Sequence, residues 1–159
     1  MLSKVKTVYY WASLFALVGA LALFAASLWR YYSAAHAVEA VYGADTNGDK
    51  VPDSLDPLLS RISDPKARAS VRLTIVAIEK LVVPDHLDDS SLKLAVFDYY
   101  SALDCLHAAY GDRMDRVERD LLQRMLLNDE LKRRFANRTS QAISKGYLPQ
   151  IAPGFLCPL

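Results

Sequence analysis

Between residues 45 and 56 the chain reads Asp45-Thr46-Asn47-Gly48-Asp49-Lys50-Val51-Pro52-Asp53-Ser54-Leu55-Asp56. Oxygen-bearing side chains fall at the first, third, fifth, ninth and twelfth positions, and the Val51 carbonyl falls at the seventh. Calcium, a hard cation, takes about six to eight oxygen ligands, and this spacing lets a short loop wrap one ion. Asp45, Asp49, Asp53 and Asp56 held together repel one another until a cation neutralises them, so a bound ion acts as a structural staple. The plainer alternative is a tight turn at Asn47-Gly48, with Asp53 or Ser54 capping the next helix.

The segment resembles the calcium loops of EF-hands, and more closely the aspartate-rich repeats of the thrombospondin type 3 kind. That resemblance covers these twelve residues alone. It implies Asp45, Asn47, Asp49, Asp53 and Asp56 as side-chain ligands, with the Val51 carbonyl completing the set. Position six is Lys50 where such loops prefer glycine, so a residue with a Cβ must take the turn at a cost on the order of 1 kcal/mol. Position twelve is Asp56, common in the thrombospondin type and shorter in reach than the Glu of an EF-hand.

The chain has two cysteines, Cys105 and Cys157. A bond between them would close a loop of about fifty residues and contribute roughly 2–4 kcal/mol. Two buried thiols are the alternative. Cys105 lacks a Cys-x-x-Cys partner, and His107, two residues on, points to nearly the opposite side of a helix. His36, His86 and His107 have no chelating spacing. Lys132-Arg133-Arg134 with Arg138 reads as the solvated face of a helix, and Asn137-Arg138-Thr139 is a glycosylation sequon. Asp98, Tyr100 and Asp104 are the residues around which an enzymatic pocket would form.

The elements that must position these groups begin with an apolar run. Val8 to Trp29 is 22 residues without a charge, about 33 Å as a helix, against a bilayer core of about 30 Å. Tyr9, Tyr10 and Trp11 sit at its start, and Trp29, Tyr31 and Tyr32 at its end, as at membrane interfaces. The expectation is a signal anchor over 8–32, with residues 1–7 cytoplasmic and 33–44 a juxtamembrane linker or helix extension. On this reading the protein sits single-pass in the inner (plasma) membrane, with its C-terminal domain periplasmic or extracellular. A cleaved signal ending at Ala35-His36-Ala37 is the competing expectation.

Beyond the loop the pattern is helical. Asp64-Pro65 reads as an N-cap and first helical residue, followed by Val71, Ile75, Ile78 and Val82 at helical spacing until Pro84. A second run starts at Asp89-Ser90 and carries Leu92, Val96, Tyr99, Leu103, Leu106 and Tyr110 to a stop at Gly111. Asp112 opens a third, with Met114, Val117, Leu121, Leu122 and Met125 inward, and a corner at Asn128-Asp129 leads to Leu131, Phe135, Ala142 and Ile143. No stretch alternates for long enough to make a strand. The fold class expected is all-α, an N-terminal transmembrane helix followed by a bundle of four or five helices over 57–146. Pro149, Pro153 and Pro158 make 147–159 a proline-rich tail lying across that bundle.

Lys4, Lys6 and Arg30 precede the first acid, Glu39, and the other 16 Lys and Arg face all 18 Asp and Glu, a net −2. A near-neutral domain has no general field for nucleic acid. No nucleotide loop, nucleophile elbow or metalloprotease motif is present. The functional expectation is therefore a membrane-anchored, non-enzymatic protein whose helical domain binds another protein, as an accessory subunit or an inhibitor, stabilised by one calcium ion. The alternatives are an enzyme with a pocket near Asp98, Tyr100 and Asp104, or a calcium-dependent adhesion or sensing module.

Overall fold

A computed structural model describes residues 2–148, and within the first helix it describes the side chains of residues 16–29, 32 and 36–42. Among the described residues the α-helices are α1 (Leu2–Tyr42), α2 (Asp56–Ser60), α3 (Pro65–Val82), α4 (Asp89–Tyr110), α5 (Met114–Met125) and α6 (Asp129–Ser144), and there is no strand. The chain divides into two units, Met1–His36 and Ala37–Leu159.

In the first unit Leu17, Val18, Leu21, Leu23 and Phe24 are exposed. The transmembrane anchor expected over 8–32, and the single-pass inner-membrane placement that followed from it, are corrected here. Among the described residues no helix is long and apolar enough to cross a membrane.

The second unit is built on α3 and α4. Val71, Ile75, Ile78 and Val82 share one face of α3, and Leu92, Val96, Tyr99 and Leu106 share one face of α4; all eight are buried. The helices α3, α4 and α6 each start on a side-chain cap. Asp64 accepts the Lys66 N–H at 3.0 Å, Asp88 accepts the Ser91 N–H at 2.7 Å, and Asn128 accepts the Leu131 N–H at 2.9 Å. The α4 cap is thus Asp88, one residue before the start expected from sequence. Leu121 and Met125 of α5 and Leu131 and Ala142 of α6 complete the core.

Gly43, at φ +94°, ends α1 in a conformation that a residue with a Cβ rarely adopts. Tyr42, the last residue of α1, is buried and donates its hydroxyl to the Met125 carbonyl at 2.9 Å. Burial, and then the charge of Glu79, push its phenol well above the usual tyrosine range.

The basic cluster of α6 divides: Lys132 and Arg133 are exposed, as expected of a solvated face, whereas Arg134 and Arg138 turn inward. Arg138 is buried and donates to the carbonyls of Leu81, Pro84 and Asp85, while Arg134 reaches the Val83 carbonyl at 3.1 Å and the Asp85 carboxylate at 2.8 Å. Carbonyls at a helix C-terminus lack partners within the helix and carry partial negative charge, so two guanidinium groups from α6 cap α3. Burial, and then Arg134, pull the Arg138 guanidinium below the usual arginine range, although Asp85 opposes this. Arg138→Met, which leaves those carbonyls unpaired, is expected to cost on the order of 2–4 kcal/mol in urea unfolding. Arg133→Met, a change on the same helix at an exposed residue whose side chain donates to the Asp129 carbonyl at 3.3 Å, is expected to stay within about 0.5 kcal/mol.

Candidate cation loop and the buried charges around it

The loop that follows Gly43 is closed at its base by the Asp53 N–H donating to the Ala44 carbonyl at 2.9 Å. Val51, fully buried, and Leu55 pin it to the core. Between these anchors the backbone turns on Asp45, whose carboxylate accepts the N–H groups of Gly48 at 2.8 Å, Asp49 at 3.2 Å and Lys50 at 2.9 Å. Three donors on one carboxylate force a tight coil. Gly48 takes φ +74° and Lys50 takes φ +68°. Lys50 therefore adopts the left-handed conformation that calcium loops reserve for glycine at position six, the strain expected from sequence.

The remaining candidate ligands are engaged inside the protein. Asn47 Oδ1 accepts the Asp49 N–H at 2.9 Å, and its Nδ2 donates to Asp56 Oδ2 at 2.9 Å. Asp53 accepts the Thr46 N–H at 3.0 Å and the Thr46 hydroxyl at 2.8 Å. Asp49 accepts the Val51 N–H at 2.9 Å, and its other oxygen meets Arg72 Nη2 of α3 at 2.6 Å. The donor set has the right chemistry for calcium, hard oxygens at the right spacing. As placed, it is committed to the turn and to Arg72, and among the described residues no group of three or more His, Cys, Asp or Glu is arranged to hold a metal ion.

Two residues of α3 that sequence reasoning passed over border the loop. Arg72 supplies its counter-charge, with Nε shut off from solvent and unbonded among the described residues. Glu79 is 6% exposed, and its Oε1 likewise has no hydrogen-bond partner among the described residues. Burial, reinforced by the negative charge of Asp45, raises its carboxyl to about 8. A signal for Glu79 was available: it lies four residues after Ile75 and eight after Val71, on the apolar stripe itself.

The other candidates separate. Asp98 pairs with Lys80 at 2.6 Å in a groove between α3 and α4, and among the described residues neither Tyr100 nor Asp104 lines that groove. Tyr99 is core: its hydroxyl bonds Glu118, and its ring packs edge-on against Tyr100 and Phe135 at 5.5 and 5.4 Å. Burial, and then Glu118, raise its phenol far above the usual range. Cys105 is buried in α4, and Cys157, its expected partner, lies outside the described residues. A cleft of about 370 Å³ opens between α2 and α5, lined by Leu58, Ile62, Val71, Tyr110, Val117 and Leu121, with Arg116 and Asp120 at its rim. No protein-family model, curated protein sequence or solved structure matches this chain.

Glu79 sets a pH dependence whose sign follows from its raised folded-state value. The unfolded chain releases this proton near an ordinary pKa of about 4.3, while the folded protein holds it to about 8. Stability from this group is therefore fully present in acid and is lost as pH rises toward 8. In excess chelator, Glu79→Gln is expected to flatten the loss measured by urea unfolding between about pH 5 and 8, on the order of 2–4 kcal/mol. An unchanged slope in the variant would remove Glu79 as its source.

Proposed function

We propose that residues 37–159 form a non-enzymatic domain that binds another protein, with the cleft between α2 and α5 taking an apolar side chain of the partner. The cleft is the observation that carries this reading. Its walls are aliphatic and aromatic, and Arg116 and Asp120 place both charge signs on its edge. Pockets of this kind accept an anchoring residue while the polar rim sets orientation.

A photo-crosslinking residue placed at Val117 in the full-length chain, expressed in its native host, is expected to yield one discrete protein adduct. Ile62→Glu, which puts a charge into the cleft, is expected to reduce that adduct at least tenfold while the melting transition stays cooperative. No protein adduct, or one indifferent to Ile62→Glu, would overturn the cleft as the docking site.

The same reading includes one calcium ion in the loop, held by Asp45, Asn47, Asp49, the Val51 carbonyl, Asp53 and Asp56. It is supported by the backbone: the Asp45 turn and the left-handed Lys50 reproduce the path such a loop needs. The ion must displace Arg72 from Asp49 and the Asn47 amide from Asp56, which argues for weak affinity. Calorimetric titration of the full-length chain is expected to give a Kd of about 10⁻⁴–10⁻³ M, lost in an Asp45→Ala, Asp49→Ala double variant. Absence of both heat and a melting shift up to several millimolar would remove the ion and leave a self-satisfied turn.

A bond from Cys105 to Cys157 also belongs here. It is supported by the burial of Cys105 and the placement of the chain's second cysteine ten residues after Tyr147, where the described fold closes. It would tie the tail to the bundle.

A further inference from the structure

The α2–α5 cleft is one half of a longer groove. A second cavity, of about 320 Å³, is lined by Tyr42, Ser54, Leu55, Arg124 and Leu127. Ser54 and Leu55 directly precede α2, and Leu58 and Ile62 of the first cleft follow them in the chain. On the facing wall the order is reversed, because Arg116 and Val117 border the first cleft while Arg124 and Leu127 border the second. The segment 54–62 and α5 therefore run antiparallel, with a cavity at each end of their seam.

The second cavity has the same character as the first. Tyr42 and Leu55 are buried beneath it. The Tyr42 hydroxyl donates to the Met125 carbonyl, and the Ser54 hydroxyl donates to the Tyr42 carbonyl, each at 2.9 Å, which fixes the floor. Leu127 stands 60% exposed at the mouth, just past the end of α5. Arg116, Asp120, Arg124 and Leu127 follow one another at steps of four, four and three, so they form one row along the groove.

Spacing and charge together define what fits. Val117 in one cavity and Arg124 in the other are seven residues apart, about 10.5 Å along α5. An occupant that reaches both must present two apolar side chains on one face at that distance. Residues i and i+7 of a helix do so, two turns apart. Same-face residues of an extended strand lie about 6.7 or about 13 Å apart, and neither spacing matches. On the rim, Arg124 holds Asp120 at 2.9 Å, while Arg116 makes no ion pair among the described residues. The first cleft thus keeps a positive charge at its edge that an acidic side chain complements.

We propose that the groove between segment 54–62 and α5 takes an amphipathic helix of the partner protein. Its apolar residues at i and i+7 fill the two cavities, and an Asp or Glu within one turn of the residue in the first cleft meets Arg116. This rests on the docking reading above and adds the form, spacing and charge of the bound segment.

Photo-crosslinking residues placed separately at Val117 and at Arg124 of the full-length chain, expressed in its native host, test the spacing once each adduct is mapped by peptide mass spectrometry. Both are expected to mark one partner, at positions about six to eight residues apart. Adducts on different proteins, or on one protein at positions about two to four apart, would overturn the helix. Leu127→Glu, at an exposed site outside the first cleft, and Arg116→Glu are each expected to reduce the Val117 adduct by about tenfold, with the melting transition still cooperative. Arg116→Lys is expected to retain the adduct, and Lys132→Glu, the same change of charge on α6, to leave it within about twofold. A Val117 adduct that survives both Leu127→Glu and Arg116→Glu and has no counterpart at Arg124 would leave the single cleft as the docking site and remove the two-cavity helix. Loss of the adduct at both positions in the otherwise unaltered chain would remove the docking reading with it.

Discussion

The antiparallel packing of α3 on α4 is the constraint on which the rest of residues 37–159 depends. Ile75, Ile78, Val82, Leu92, Val96 and Leu106 lie at or near zero exposure, and each such side chain contributes roughly 1.5–3 kcal/mol by leaving water. Their interlocking sets which residue of one helix faces which residue of the other. With that register set, the remaining surface of α3 is distributed: Arg72 and Glu79 border the acidic loop, the final carbonyls meet α6, and Leu73 with Val76 edges a groove. A slip of one helical turn would separate each of these pairs by about 5.4 Å, beyond hydrogen-bond reach.

Charge placed against this apolar frame is handled in three ways. Arg138 keeps its charge because carbonyls at the end of α3 surround the guanidinium. Arg72 and Asp49 neutralise each other at 2.6 Å while remaining partly solvated. Glu79 Oε1 has no hydrogen-bond partner among the described residues, and burial favours the protonated acid. The same burial thus leaves one side chain charged and another neutral, according to whether the neighbouring backbone offers partners of the right sign.

Asp45 organises the loop through three backbone N–H groups with no ion needed to set the turn. Arg72 already delivers positive charge to one of the carboxylates. A tethered guanidinium is present at high local concentration, and any divalent ion must compete with it. This is the physical reason that a ligand pattern of familiar spacing can fold as a turn held by its own side chains.

The sequence by itself determined the all-α class, the cap at Asp64 with Pro65 behind it, the apolar stripes of α3 and α4, the stop at Gly111 and the strain at Lys50. These are consequences of local periodicity and backbone geometry, which act over a few residues. It misread Arg134 and Arg138 as a solvated face, although Arg138 stands on the stripe of Leu131, Phe135 and Ala142, as Glu79 stands on that of Val71 and Ile75. A hydrophobicity pattern marks such positions as inward and says nothing of what waits there. Only the tertiary structure brought the α6 guanidinium groups to the end of α3, Arg72 to Asp49, and Asp45 within electrostatic range of Glu79. Their partners are separated by 23 to 57 residues in the chain where a hydrogen bond joins them, and such pairings exist only after the helices have packed.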